Sequence, residues 1–457
     1  MTASGEAVPE SAVTGMVWPA LPGPQHLNAF AVLFQIEQSQ WWSAAEIRAS
    51  QLRQVAALIA HAAAEVPFYR DRLAGLIAPG ADAVDEEVWS RIPVLARAEV
   101  QEAGEALNAR SLPAGHGARN DVTTSGSTGR PVRIQSTELA AHFRTAVRLR
   151  GNLWHRRDYD GKVCAIQRLS DAHRRLMDGG QRLGWASGYA TGPIVYRDVA
   201  GPADDHLAWL AAEEPDYLIT YPTTARVFAQ RALERGVRLQ RLKEVDTMGE
   251  VLDTDVRDLV RRAFGVPVAD IYSAREIGVL AIQCPEAEHY HVQAEAVLVE
   301  IVDDAGRACP PGAVGRVVVT PLHNFATPLI RYHVGDYAEA GADCACGRGL
   351  PAIRRVMGRT RNMVRLPNGV RAFPSLDGKA LAQVAPLRQI QLVQKSASEI
   401  EAKLVATRPL NAAETVRLGA AVGRMLGHAF PLRLVYVEEI ARAPSGKYED
   451  FRCELEG

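Results

Sequence analysis

The chain has 457 residues, 47% hydrophobic and 23% charged, which suits a soluble enzyme large enough to bury its core without disulfide or metal staples. Its 52 basic and 53 acidic residues leave a net charge of −1, which argues against nucleic acid or an anionic membrane as the main partner. No run of eighteen apolar residues occurs, the first residues lack the pattern of a signal peptide, and six unevenly spaced cysteines make no disulfide framework, so a cytoplasmic protein is expected.

Residues 1–25 are rich in Pro, Ala and Gly without a period and predict a loose arm. The first ordered element is expected near Trp41. Ser43 and Glu46 have the spacing of a capping box, and an Ala-, Leu- and Ile-rich helix is predicted from there to about Ala64. Two further helical stretches precede Asn120. Beyond it, the apolar runs 163–166, 217–220, 245–248 and 268–272 read as buried parallel strands, with helices such as 251–264 between them. The runs 296–302 and 315–320 alternate better and predict antiparallel strands joined through the turn 303–307. After Gly358 the pattern becomes a smaller mixture of strand and helix. The predicted organisation is α/β: the arm over 1–25, a large domain over 26–358 with parallel or mixed sheets and a small antiparallel subdomain, and a small α+β domain over 359–457.

The segment Thr123-Thr124-Ser125-Gly126-Ser127-Thr128-Gly129-Arg130-Pro131 is dense in hydroxyls and glycines. Its backbone N–H groups can wrap a polyphosphate, and Thr128 can approach a metal–phosphate pair. No Gly-Lys-Ser/Thr follows, so it is not a Walker A loop, and on composition alone a flexible surface loop is an equal reading. A second constellation is Cys284 and His291 with Cys344-Ala345-Cys346, thiolate and imidazole ligands that suit a tetrahedral Zn²⁺, with His289 as a competing ligand. Only six residues are lysines, so Lys447 in Pro444-Ser445-Gly446-Lys447 carries weight as a motif residue.

Taken in order, these segments resemble the adenylate-forming superfamily, which includes acyl-CoA synthetases, peptide-synthetase adenylation domains and luciferases. The loop 123–131 resembles its phosphate loop, and Met248-Gly249-Glu250 the Gly-Glu element beside the adenosine. Tyr272 to Glu276 resembles its aromatic motif, Leu329 to Asp336 its Tyr-Arg-Thr-Gly-Asp motif, Gly358-Arg359 the hinge, and Lys447 the catalytic lysine of the C-terminal lid. The Trp41-Trp42 start, the segment 66–73 and the cysteine-bearing insertion at 344–348 are similar to the phenylacetate–CoA ligase-like branch.

The resemblance implies a large ATP- and substrate-binding domain and a mobile lid. ATP would be held by Thr124, Ser125, Gly126, Ser127, Gly129, Gly249, Glu250, Tyr272, Asp336 and Arg359, and Mg²⁺ by Glu276. Lys447, Glu276 and Thr128 would be catalytic. An acid pocket is expected from Trp185, Tyr189, Tyr221, Met248, Ser273 and Ala274, whose small and aromatic side chains fit a flat aryl acid. A structural Zn²⁺ would sit on Cys284, His291, Cys344 and Cys346. The implied activity is ATP-dependent, AMP-forming activation of a small aromatic carboxylic acid and its transfer to coenzyme A. An amine or carrier-protein thiol as acceptor, a non-carboxylate oxyanion as substrate, and an inactive binding protein are the alternatives, and a homodimer is compatible with the sequence. Two departures stand out. His333-Val334 replaces the family's Arg-Thr pair, and Arg361-Asn362 stands where relatives carry two hinge aspartates.

Overall fold

The structure, a computed structural model, describes residues 9–16, 18–76, 81–124, 131–169, 174, 184–374, 376, 378–442 and 447–455. The predicted capping box forms: Ser43 and Glu46 satisfy each other's backbone N–H groups and start the helix Ala44–Glu65. A helix missed by the sequence reading precedes it. Pro24–Ser39 has proline in its first turn, where the missing N–H costs nothing, and buries Ala29, Leu33 and Ile36 at helical spacing. The described arm residues are also tied down, with Glu10 N–H donating to Gly188 O at 3.0 Å and Pro9 bridging to Tyr189.

A hairpin of β1 (Arg119–Thr123) and β2 (Arg133–Thr137) brackets the hydroxyl-rich loop. The main sheet then begins with β3 (Val163–Gln167), β4 (Ile194–Asp198), β5 (Tyr217–Thr220), β6 (Glu244–Met248) and β7 (Val268–Ala274). These pair in parallel, as the continuous apolar runs of β3, β5, β6 and β7 predict; β4, with Arg197 and Asp198 at its end, was not read from the sequence. The helices Ala203–Glu213, Pro222–Arg235 and Thr254–Phe264 supply crossovers, and their apolar faces pack on Leu218, Val245 and Val268.

The antiparallel strands continue the same sheet. β8 (Gly278–Gln283), β9 (Tyr290–Val292), β10 (Val297–Val302), β11 (Val314–Pro321), β12 (Tyr332–Ala340) and β13 (Ala352–Arg359) extend it to eleven strands in the order β10-β11-β12-β13-β9-β8-β7-β6-β5-β3-β4. The switch falls at β7, whose other edge pairs antiparallel with β8.

Past Arg359 a single turn, Thr360–Asn362, leads to a second body. It holds the small pair β14 (Val364–Arg365) and β15 (Arg371–Ala372), and a four-stranded sheet of β16 (Leu387–Gln394), β17 (Ile400–Ala406), β18 (Leu432–Tyr436) and β19 (Phe451–Cys453). Its core of Leu392, Ile400, Leu404, Leu418, Val422 and Phe451 lies wholly within residues 364–451. Among the described residues no helix is long and apolar enough to cross a membrane, and all six cysteines are free.

Candidate active site

Parallel strands point their carboxyl ends to one side of a sheet, and the turns there are free to hold ligands. β6 delivers Gly249-Glu250 to that side, and β7 delivers Arg275-Glu276. Gly249 has φ +82°, and a Cβ built on it would lie 3.3 Å from Lys447 Cε and 3.5 Å from Tyr221 Cε1. Glycine therefore lets the backbone turn under the lysine. A cleft of about 240 Å³ opens between the two bodies at this point. Of the residues predicted for the site, Thr124, Gly249, Glu250, Tyr272, Ser273, Ala274, Glu276, Asp336, Arg359 and Lys447 line it. Tyr221 lies beside Gly249, and Met248 ends β6. Ser125, Gly126, Ser127, Thr128 and Gly129 lie outside the described residues.

Trp185 and Tyr189 lie apart from these residues. They were expected in the acid pocket, but neither is among the described residues lining the cleft. Both pack on Tyr159, with ring centroids 5.0 and 4.9 Å away, and Tyr189 also meets Phe30 at 5.1 Å. Phe30 belongs to the helix that the sequence reading missed, and that helix takes up the aromatic surface.

Asp336 accepts from Tyr272 Oη at 2.9 Å and from Arg359 Nε at 3.1 Å, one bond on each oxygen. A carboxylate has about four lone-pair directions, so each oxygen keeps capacity for a further donor. Burial and the neighbouring Asp336 charge push the Tyr272 phenol well up, keeping it a neutral donor. Glu276, with a side chain only 7% exposed, accepts from Tyr332 Oη at 3.1 Å and pairs with Arg97 Nη1 at 3.3 Å. Arg97 also donates from Nη2 to Thr124 Oγ1 at 3.1 Å, linking the carboxylate to the rim of the hydroxyl-rich loop. Sequence reasoning missed Arg97. It opens the helix Arg97–Ala103 inside no motif, and an arginine in a helical turn usually signals only a solvated face.

Lys447 is half-buried. Burial and the Arg359 charge pull its pKa down, against opposing pulls from Asp336, Glu250 and Glu276. Glu250, which lines the cleft, also makes contacts across it. Its Oε2 accepts from Thr223 N–H (3.0 Å) and Thr223 Oγ1 (2.7 Å), while Oε1 accepts from Tyr448 N–H at 2.6 Å and lies 3.5 Å from Arg442. This buried carboxylate joins the two bodies. At the hinge, Gly358 has φ +107°. Asn362 Oδ1 accepts from Arg359 N–H at 2.9 Å, its Nδ2 donates to Phe451 O at 2.9 Å, and Arg361 Nε donates to Glu449 Oε1 at 2.7 Å.

Apart from the cleft, the ligand atoms of Cys284, His289, His291 and Cys344 lie within 4.8 Å of one another. Cys346 Sγ lies 3.3 Å from His291 Nε2. All four predicted ligands are thus neighbours, joined by the histidine that the sequence offered as a competitor. His291 Nδ1 is 3.3 Å from Leu350 O, a contact that makes Nδ1 the protonated nitrogen and frees Nε2. His289 Nε2 is buried without a hydrogen-bond partner. Two soft sulfurs and two imidazoles fit a zinc ion.

No family model matches the chain. The phenylacetate–coenzyme A ligase of Thermus thermophilus is 27% identical over 379 residues, covering 79% of this chain and 81% of the relative. The ligase of the same name from Pseudomonas putida is 23% identical over 358 residues, covering 75% and 77%. Among solved structures, 2-hydroxyisobutyryl-CoA ligase in the postadenylation state with R3-HIB-AMP superposes with a TM-score of 0.71 at 21% identity, covering 89% of this chain and 88% of that one. In its thioesterification state the same ligase gives 0.54 at 22% identity, covering 89% of each chain. An anthranilate CoA ligase in complex with anthranoyl-AMP gives 0.54 at 16% identity, covering 75% and 68%. The ordered motifs, the fold and the curated relatives agree in one resemblance: the chain is similar to the phenylacetate–CoA ligases and shares the fold of adenylate-forming ligases.

Proposed function

We propose that the protein is an ATP-dependent, AMP-forming ligase that adenylates a small aromatic carboxylic acid and transfers the acyl group to coenzyme A in the cytoplasm. The observation that carries this reading is the meeting of Tyr272, Glu276, Asp336, Arg359 and Lys447, from separate segments of the chain, in one cleft. Relatives named for phenylacetate, and the anthranilate ligase among the structural neighbours, support an aryl acid.

In the first step a carboxylate oxygen bonds to the α-phosphorus of ATP, and the bond to pyrophosphate breaks. Two anions must approach, so catalysis is mainly charge neutralisation and positioning. Lys447 supplies a compact cation over Gly249, where charge develops on the α-phosphate. Asp336, fixed by Tyr272 and Arg359, turns its remaining lone pairs to the ribose hydroxyls, and Tyr272 offers its ring face to adenine. Glu276 would hold Mg²⁺ together with Thr128, and the bound ion neutralises phosphate charge. Arg97 and Tyr332 keep the Glu276 carboxylate aimed into the cleft. Ser273, Ala274, Met248 and Tyr221 form the remaining wall for the acid.

The cysteine–histidine cluster would hold a structural Zn²⁺. The buried, unpartnered Nε2 of His289 supports this, because an apolar pocket would leave that nitrogen unsatisfied.

The test is acid-dependent pyrophosphate release with a panel of phenylacetate, anthranilate and 2-hydroxyisobutyrate, followed by mass spectrometry of the product with coenzyme A. Release with an aryl acid and a thioester product are expected; no release with any acid overturns the reading. The Arg361–Glu449 pair favours considering a second acceptor, because it ties the hinge to the Lys447 segment in this arrangement. An adenylate that forms and is trapped by hydroxylamine, but never reaches coenzyme A, would select that reading.

A further inference from the structure

We propose that Arg226 is a positioning residue for adenylation, holding the Lys447 segment over the cleft through Asp450. The proposal rests on the functional reading above and deepens it. Arg226 and Thr223 are three residues apart on the helix Pro222–Arg235 and so share one face near its start. Both reach the same short stretch of the C-terminal body. Thr223 acts through Glu250, whose other oxygen accepts from Tyr448 N–H at 2.6 Å. Arg226 acts directly, with Nη1 at 3.3 Å from Asp450 Oδ2. The spacings agree: two residues of extended chain span about 6.7 Å, close to the roughly 5–6 Å between helix neighbours three apart. Lys447 immediately precedes this two-point contact, so the contact sets where its ammonium falls. That group sits 3.6 Å from a Cβ built on Gly249.

The rest of the guanidinium explains how such a contact can also release. Arg226 Nη2 lies 2.8 Å from Asp253 Oδ2 and 3.2 Å from Asp255 Oδ1, at the start of the helix Thr254–Phe264. Both aspartates belong to the large body. When the C-terminal body swings away, Arg226 loses one of three carboxylates and is never left as an unpaired charge. Asp450 is held from its own side, where its backbone carbonyl accepts from Leu392 N–H at 2.8 Å beside β16 and β19. An ion pair made in only one arrangement and pre-satisfied in the other fits a two-step cycle.

The experiment uses the full chain and whichever acid of the three-member panel releases pyrophosphate fastest. Arg226→Gln and Asp450→Asn should each slow single-turnover adenylate formation roughly tenfold, the change expected when a bias of one decade is lost. The double variant should be no slower than the worse single one, because both remove the same pair. Thioester formation from supplied acyl adenylate and coenzyme A should be unchanged or faster, whereas a role in the fold alone would slow both half-reactions together. Amide hydrogen exchange over residues 447–453 should rise in both variants without any substrate present. Asp450→Asn is nearly isosteric and keeps the test valid where Arg226→Gln folds poorly. Unchanged exchange, additive losses or equal slowing of both half-reactions overturns the proposal while the function stands. A wild-type protein that forms no adenylate overturns both.

Discussion

Replacing Lys447 with alanine tests the chemistry most directly. Asp336, Glu250 and Glu276, whose charges act on the Lys447 ammonium, each keep a cationic partner without it: Arg359, Arg442 and Arg97. Thermal stability should therefore change little. Loss of one pre-placed donor at a developing oxyanion costs about 3–4 kcal/mol, or roughly 10²–10³ in rate. Arg359 stays in the cleft as a second cation beside Asp336, which places the expected loss at the lower end, roughly a hundredfold in adenylation kcat. Apparent ATP affinity should hold, because Tyr272, Asp336 and Glu276 remain. Rapid-quench measurement of adenylate formation gives the rate, and thioester formation from supplied adenylate serves as the control. Because burial and Arg359 pull the Lys447 pKa down, the wild-type rate should fall on the alkaline side at a pH below that of an ordinary lysine, and the variant should lack this limb. Near-normal adenylation by the variant, or an unchanged alkaline limb, refutes the assignment.

Elemental analysis should find about one zinc per chain, and Cys344→Ser should lose the metal and lower thermal stability while activity per folded molecule persists, since the site bridges distant segments away from the cleft. Metal content of His289→Ala against Cys346→Ala identifies the fourth ligand; a metal-free wild type of normal stability refutes the site. Stability of the fold should carry a contribution that falls as pH rises. Burial pushes the Asp253 carboxyl up to about 7, with Asp450 and Asp255 adding to it against the pull of Arg226. A raised carboxyl pKa means that the folded chain binds the proton more tightly than the unfolded one, so this contribution is full below about 4 and lost as pH rises through about 7, which thermal melts across that range should follow and Asp253→Asn should abolish. Glu449→Gln removes the Arg361–Glu449 pair and should speed thioester formation relative to adenylation; an unchanged ratio of the two rates would remove the pair from the hinge.

Local signals were legible and long-range ones were not. The capping box at Ser43–Glu46 and the continuous apolar strands at 163–166 and 245–248 carry their structure within a few residues, and both form as read. The helix Pro24–Ser39 escaped because its first-turn proline sits in a Pro-, Ala- and Gly-rich stretch that reads as an arm. The joining of β9 to β13 depends on pairing His291 with Ala352, sixty-one positions apart, which no local pattern encodes. At the site, motif residues such as Asp336 and Lys447 were visible because each lies in an ordered set. Arg97 and Arg226 lie outside any motif, and only folding brings them to carboxylates. The packing of Tyr189 on Phe30 was hidden for a related reason: aromatic side chains suit an acid pocket and a core equally, and the sequence does not show which neighbours they meet.

The surface between the two bodies fits the proposed two-step cycle, in which they part. The C-terminal body buries its own apolar core, so leaving the cleft exposes little of it. What joins the bodies is largely polar: Arg226 with Asp450, and Glu250 with Tyr448 N–H and Arg442. Partly exposed ion pairs contribute about 0.2–1 kcal/mol each, and a hydrogen bond to a charged group about 1.5–3 kcal/mol. Contacts of that size bias an equilibrium by one or two decades and still release within a catalytic cycle. An apolar seam of similar extent, at roughly 25 cal/mol per Å², would hold the arrangement far more firmly. Arg361 adds to this balance from inside the second body. Its pair with Glu449, two residues beyond Lys447, joins the hinge turn to the lysine segment, so the two-step cycle proposed above would move them together.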